Sequence, residues 1–78
     1  MSEHLPAVNG REMVRALERA GFEVVRISGS HHRLVHSADA SRAVTIPVHG
    51  SKPLKRGTLQ AILRQAHITV SELKNLLR

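Results

Sequence analysis

Two sets of residues in this sequence could do chemistry: six histidines, at positions 4, 31, 32, 36, 49 and 67, and a group of cations gathered in the second half of the chain. Imidazole exchanges protons near neutral pH, so it serves as a general acid or base in phosphodiester cleavage, or as a metal ligand. The spacing argues against a metal. His32 and His36 point to one face of a strand but stand about 13 Å apart at the usual rise per residue. No cysteine is present, which removes thiolate zinc sites, disulfides and cysteine nucleophiles together. Neither a metal nor a cofactor is expected. His31 is the better candidate for proton transfer, because it follows the Gly29-Ser30 turn at a strand start, outward and among Arg26 and Arg33. Spacing alone favours a plain exposed strand-end histidine over a catalytic one.

The cations are concentrated. Residues 40–71 hold Arg42, Lys52, Lys55, Arg56 and Arg64 and no Asp or Glu. Lys55 and Arg56 open a helix, where the macrodipole prefers acids, at a cost of about 0.3 kcal/mol or more unless an anion binds there. Free amides at a helix start flanked by basic side chains make a phosphate site. Lys52, Lys55 and Arg56 are therefore expected to contact phosphate, with a merely solvated basic face as the plainer alternative.

The elements that must position these groups are short. A chain of 78 residues forms one domain, expected over 1–78, with a modest core and no second lobe for a cofactor. The net charge of +6 points to a polyanion or an acidic protein partner. Phe22 is the single aromatic of the chain, so stacking platforms for bases are absent and phosphate and shape must carry any recognition of nucleic acid. Apolar runs never exceed two or three residues, which leaves no membrane span and no signal-peptide core and makes a cytoplasmic location the expectation.

Asn9 and Glu12 form a capping box for a helix over about 10–20, with Gly21 as its left-handed terminator and Phe22 returning onto Leu17. Residues 22–28 and 31–37 read as a hairpin around Gly29-Ser30, with Leu34, His32 and His36 inward and His31, Arg33 and Val35 outward. A second turn is expected at 38–41. A third strand follows over 42–48, with Val44, Ile46 and Val48 on one face and Pro47 at an edge or end. Leu59, Ile62, Leu63 and Ala66 recur at helical spacing, and Thr69 with Glu72 caps a short last helix carrying Leu73, Leu76 and Leu77. The order is α-β-β-β-α with a short C-terminal helix. It predicts an α+β fold: a two-layer sandwich of a three-stranded antiparallel sheet with helices on one face.

Gly21-Phe22, Arg26, Gly29-Ser30-His31-His32, Val44-Thr45-Ile46-Pro47-Val48-His49, and Gly57-Thr58-Leu59 through Ile62-Leu63-Arg64-Gln65-Ala66 occur here in the order and spacing of a known family. Over most of its length, from about Leu5 to Leu77, the sequence resembles the HicA (YcfA-like) toxins of type II toxin-antitoxin systems. The resemblance implies a fold similar to a double-stranded-RNA-binding domain. It also implies an endoribonuclease acting on mRNA and neutralised by a HicB-type antitoxin that covers the active site. By the same resemblance the essential histidine is His31, with Ser30, His32 and His49 as possible support. The sequence departs from the family pattern in two places. Ala66-His67-Ile68 lacks the usual glycine, so His67 is expected to take a left-handed backbone, and Asp39-Ala40 replaces the usual Asp-Gly turn.

These readings lead to metal-independent cleavage by the RNA 2′-hydroxyl, with His31 in proton transfer and Arg26, Arg33, Lys52, Lys55 and Arg56 steadying the phosphoryl charge. A rival reading from another class is a non-catalytic module that grips structured RNA through its phosphates. A helix-turn-helix DNA binder fits residues 55–77 but not the three strands before them.

Overall fold

Asn9 begins the first helix with both halves of its capping box in place. In the computed structural model, which describes residues 4–78, the Glu12 amide donates to Asn9 Oδ1 at 2.8 Å and the Asn9 amide donates to Glu12 Oε1 at 3.0 Å. Residues 1–3 of the expected 1–78 span lie outside that description. Helix α1 (Gly10–Arg19) buries Met13, Ala16 and Leu17. Gly21, at φ 98°, then turns the chain into strand β1, a conformation that glycine adopts at no steric cost.

Strands β1 (Phe22–Ser28), β2 (His31–His36) and β3 (Asp39–Pro47) form an antiparallel sheet in the order β1-β2-β3. Helix α2 (Arg56–Ala66) and the short α3 (Val70–Leu76) complete the chain. Leu34, Val44 and Ile46 supply the buried side of the sheet. Met13, Leu17, Leu59, Ile62, Leu63, Ala66 and Leu73 from the helices close over it in one cluster. The expected two-layer sandwich, with α-β-β-β-α order and a short terminal helix, is the architecture of the molecule. Alternation along β2 runs as expected: Leu34 is fully buried, His32 and His36 are half-buried, and His31 and Arg33 are exposed.

Several boundaries differ from the expected ones: α1 ends at Arg19 and β2 at His36, each one residue early. The second turn falls at residues 37–38, not 38–41, and β3 starts at Asp39 instead of residue 42. The Asp39 carboxylate accepts from the Ser41 amide at 3.0 Å and from its hydroxyl at 2.6 Å. These turn-like bonds are absorbed within the strand, because pairing jumps from Val35↔Ala43 to His36↔Asp39 and takes up the surplus residues. β3 also ends at Pro47, one residue early. The Val48 amide still continues the ladder by donating to the Ser30 carbonyl at 2.7 Å.

The second irregularity decides which face the arginines occupy. Val24 pairs with Leu34 and Arg26 with Arg33, so Val25 is an extra residue in β1. Strict alternation from the inward Phe22 and Val24 would carry Arg26 inward as well. The bulge instead re-aims Arg26 to the outer face, in one row with Arg33 and Thr45. The next row is Ser28, His31 and Pro47.

Gly10 lets α1 seat on the end of β3. A Cβ at this position would meet the Pro47 carbonyl oxygen and come within 2.9 Å of Val48 Cα. His67, at φ 58°, ends α2 in the left-handed conformation expected of it. α3 is fastened through Arg19, whose Nη1 donates to the Leu76 carbonyl at 2.6 Å and to that of Arg78 at 3.3 Å. No helix among the described residues is long and apolar enough to cross a membrane.

Candidate active site

His31 opens β2 beside the first residues beyond β3, because antiparallel pairing sets it opposite Pro47. Its side chain is exposed. Two residues past Pro47 stands His49, also exposed, with its ring centroid 6.5 Å from that of His31 and the planes at 81°. Strand register thus brings together two imidazoles that are 18 positions apart in sequence. Ser30 contributes through its backbone, since its carbonyl takes the Val48 bond that fixes the start of this loop.

The loop after β3 is held at both ends. Gly50, at φ 57°, lies in a turn in which the Lys52 amide donates to the His49 carbonyl at 3.3 Å. Further on, the Leu54 amide donates to the Val8 carbonyl at 2.7 Å, and Asn9 and Pro53 form a β-bridge. The segment ahead of α1 therefore anchors the basic loop. Pro47, His49, Lys52, Pro53, Leu54, Lys55 and Thr58 line an open cleft of about 600 Å³ at this point. The lining combines Pro47, Pro53 and Leu54 with the cations Lys52 and Lys55 and holds neither Asp nor Glu.

Lys55 is the N-cap of α2, and its side chain makes no capping bond. The first turn of α2 carries no acid and begins with the exposed Arg56. Amides at such a helix start retain their hydrogen-bonding capacity for an external acceptor. Lys52 and Lys55 meet His49 in the cleft, whereas Arg56 stands outside its lining. Arg26 and Arg33 form a separate row on the sheet, one step from His31, and Arg33 Nη1 donates to Thr45 Oγ1 at 3.2 Å.

Two residues play other parts. His32 lies on the inner face in a row with Ile27 and Ile46. Its Nδ1 is buried without a hydrogen-bond partner among the described residues. Arg42, part of the acid-free run of cations, is drawn off to the other end of the sheet. There its Nε donates to the Ala66 carbonyl at 2.8 Å, and its guanidinium lies 5.4 Å from the centre of the Phe22 ring. It caps the C-terminal end of α2 and stacks on the core. Thr58, Pro53 and Leu54 were not singled out from sequence, although the Gly57-Thr58-Leu59 block held the signal for Thr58. Among the described residues no three of His, Cys, Asp and Glu gather into a group able to hold a metal.

The family model of the HicA toxin of bacterial toxin-antitoxin systems matches residues 10–68. The chain belongs to the HicA toxin family. That membership makes it a toxin of a toxin-antitoxin system and implies an antitoxin as its partner. The matched span of the HicA chain runs from the first residue of α1 to just beyond α2. It contains His31, His49 and every cation of the candidate site, and it ends before α3. A comparison with curated proteins finds no match.

Proposed function

We propose that this HicA chain is an endoribonuclease that cleaves mRNA in the cytoplasm without a metal and is neutralised by a HicB-type antitoxin, with residues 1–78 belonging to a single domain. The observation that carries the reading is the pair of exposed imidazoles, His31 and His49, beside the lysine-lined cleft. With centroids 6.5 Å apart and both rings exposed, the two imidazoles stand close enough to reach one bound phosphodiester from two sides, each through a hydrogen bond of about 3 Å. A phosphodiester between the rings would have a proton acceptor on one side and a donor on the other.

In this reaction one imidazole takes the proton of the RNA 2′-hydroxyl as its oxygen attacks the adjacent phosphorus. The bond from phosphorus to the 5′-oxygen breaks, and that oxygen receives a proton from the other imidazole. The products are a 2′,3′-cyclic phosphate and a 5′-hydroxyl. His31 is the essential group and His49 its complement, which supplies the second proton-transfer group that spacing alone did not reveal. Lys52, Lys55 and the open amides of α2 steady the phosphoryl oxygens, with Arg56, Arg26 and Arg33 reaching flanking phosphates.

The test is cleavage of a long single-stranded RNA in EDTA by the wild type and by His31→Ala, with equal folding shown by circular dichroism. Loss of about 10²- to 10⁴-fold in rate is expected for the variant. Equal rates would remove His31 from the mechanism. Binding without cutting by both proteins would leave a phosphate-gripping RNA module in its place. Products with 5′-phosphates that form only when Mg²⁺ is supplied would overturn the 2′-hydroxyl route.

A further inference from the structure

β1 is an edge strand, and it carries the exposed large hydrophobic residues of the described chain: Val25 is 56% exposed and Ile27 61%. Ile27 belongs to the same row as His32 and Ile46, yet Ile46 is fully buried. The helices cover the β3 end of that row and stop short of its β1 end. Val25 is the bulged residue, Ile27 lies on the inner face, and Arg26, paired across the sheet with Arg33, lies on the outer face, so a segment laid along this edge would meet an aliphatic side chain on one face and guanidinium groups on the other. Branched aliphatics on a free sheet edge favour association, and proteins usually place charge there instead.

We infer that this edge is the anchor for an acidic protein segment whose own aliphatic side chains cover Val25 and Ile27 and whose carboxylates meet Arg26 and Arg33. The inference rests on the reading of the chain as a toxin with an antitoxin partner, and it names where on the toxin that partner is held. Charge complementarity selects the occupant. RNA would satisfy the arginines, but aliphatic side chains offer it neither charge nor a stacking face. A second copy of this chain would bring two bodies of charge +6 together, with Arg26 and Arg33 facing like charges, which is disfavoured. An acidic, aliphatic protein surface satisfies both features. Ser28, the next residue of β1, pairs with His31, so a segment seated here lies one row from the proposed catalytic histidine and bars RNA from it. Inhibitor and substrate would thus be separable by chemistry: aliphatic anchors for the inhibitor, lysines for the phosphates.

The experiment compares the wild type with Val25→Thr/Ile27→Thr, which keeps β-branched residues in the strand, and with Ile27→Thr alone. Each is titrated with the purified cognate antitoxin by calorimetry and assayed for RNA cleavage in its absence. The double variant is expected to bind the antitoxin at least about tenfold more weakly while cleaving RNA at the wild-type rate, with the single variant in between. Wild-type affinity in the double variant, when the wild type binds, overturns this inference and leaves the toxin-antitoxin reading standing. No binding by the wild type overturns both. Loss of RNA cleavage with antitoxin affinity retained would reassign the edge to substrate. Self-association of the wild type that the double variant abolishes would reassign it to a second copy.

Discussion

The starts of α1 and α2 lie close together, joined through the bond from Leu54 to Val8 and the bridge of Asn9 to Pro53, but they are built in opposite ways. At α1 the end is closed: Asn9 and Glu12 satisfy each other, an acid sits in the first turn, and Gly10 is pressed against β3. At α2 the end is open: Lys55 offers no side-chain cap, and the first turn has no acid. α3 repeats the closed pattern with Thr69 and Glu72. Two complete capping boxes beside one missing box show that the chain can terminate helices well. The exception coincides with the lysines of the cleft, where a capping carboxylate would compete with phosphate.

The comparison can be broken most severely at the closed end. Gly10→Ala places a methyl group against the Pro47 carbonyl and Val48 Cα, both backbone atoms that cannot rotate away. Overpacking of this kind costs about 1–3 kcal/mol, which outweighs the helix propensity that alanine adds. Thermal denaturation is expected to show the loss, and an unchanged melting temperature would mean that α1 does not seat as described. Asn9→Ala or Thr69→Ala should each cost about 1 kcal/mol by loss of a cap. RNA affinity should stay at the wild-type level in a filter-binding assay of the folded proteins.

Lys55→Ser sharpens the contrast by converting the open end into a closed one. Stability is expected to rise by about 0.5 kcal/mol or more through the new cap. RNA affinity should fall several-fold, with the salt dependence of binding shallower by about one charge. A variant that gained stability and kept both affinity and salt slope would sever the link between the missing cap and phosphate. The smallest effect concerns acid. The bonds from the Thr69 backbone and hydroxyl hold the Glu72 carboxyl below its ordinary value of 4.5, and those from Ser41 hold Asp39 below 3.8. A lowered carboxylate contributes stability that is present above the unfolded value and lost as pH falls through the folded one. Glu72→Gln should therefore flatten the fall in stability below about pH 4.5, measured by urea denaturation at successive pH values, and leave the neutral side of the curve parallel to that of the wild type.

Much of the fold is legible because its signals are local. The capping boxes at Asn9 and Thr69, the left-handed Gly21, and the helical spacing of Leu59, Ile62, Leu63 and Ala66 each involve residues within a turn or two of one another, whereas the left-handed His67 is legible only from the family pattern. The features that escape are tertiary. The Ala38–Ser41 stretch has turn composition, but its Asp39-Ser41 bonds are accommodated inside an extended strand. The bulge at Val25 leaves no mark in composition, and Arg42 is diverted by a carbonyl 24 positions away. For the candidate site, His31 and the lysines stand out by residue type and by the family pattern. The partnership of His31 with His49 depends on strand register, which sequence spacing does not supply.

The bulge has a consequence for how this chain can vary. Since Val25 is one residue more than β2 requires, the face on which Arg26 lies is set by its pairing with Arg33, not by a count of residues from the start of the strand. Deleting any one residue between Glu23 and Val25 would restore simple alternation and leave the guanidinium of position 26 outward and Ile27 inward, because the residue lost is the one that β2 does not pair. Many substitutions can be absorbed in this strand. The loss of one residue at the bulge can be absorbed as well, so this edge has a tolerance of length that a strand in plain alternation lacks.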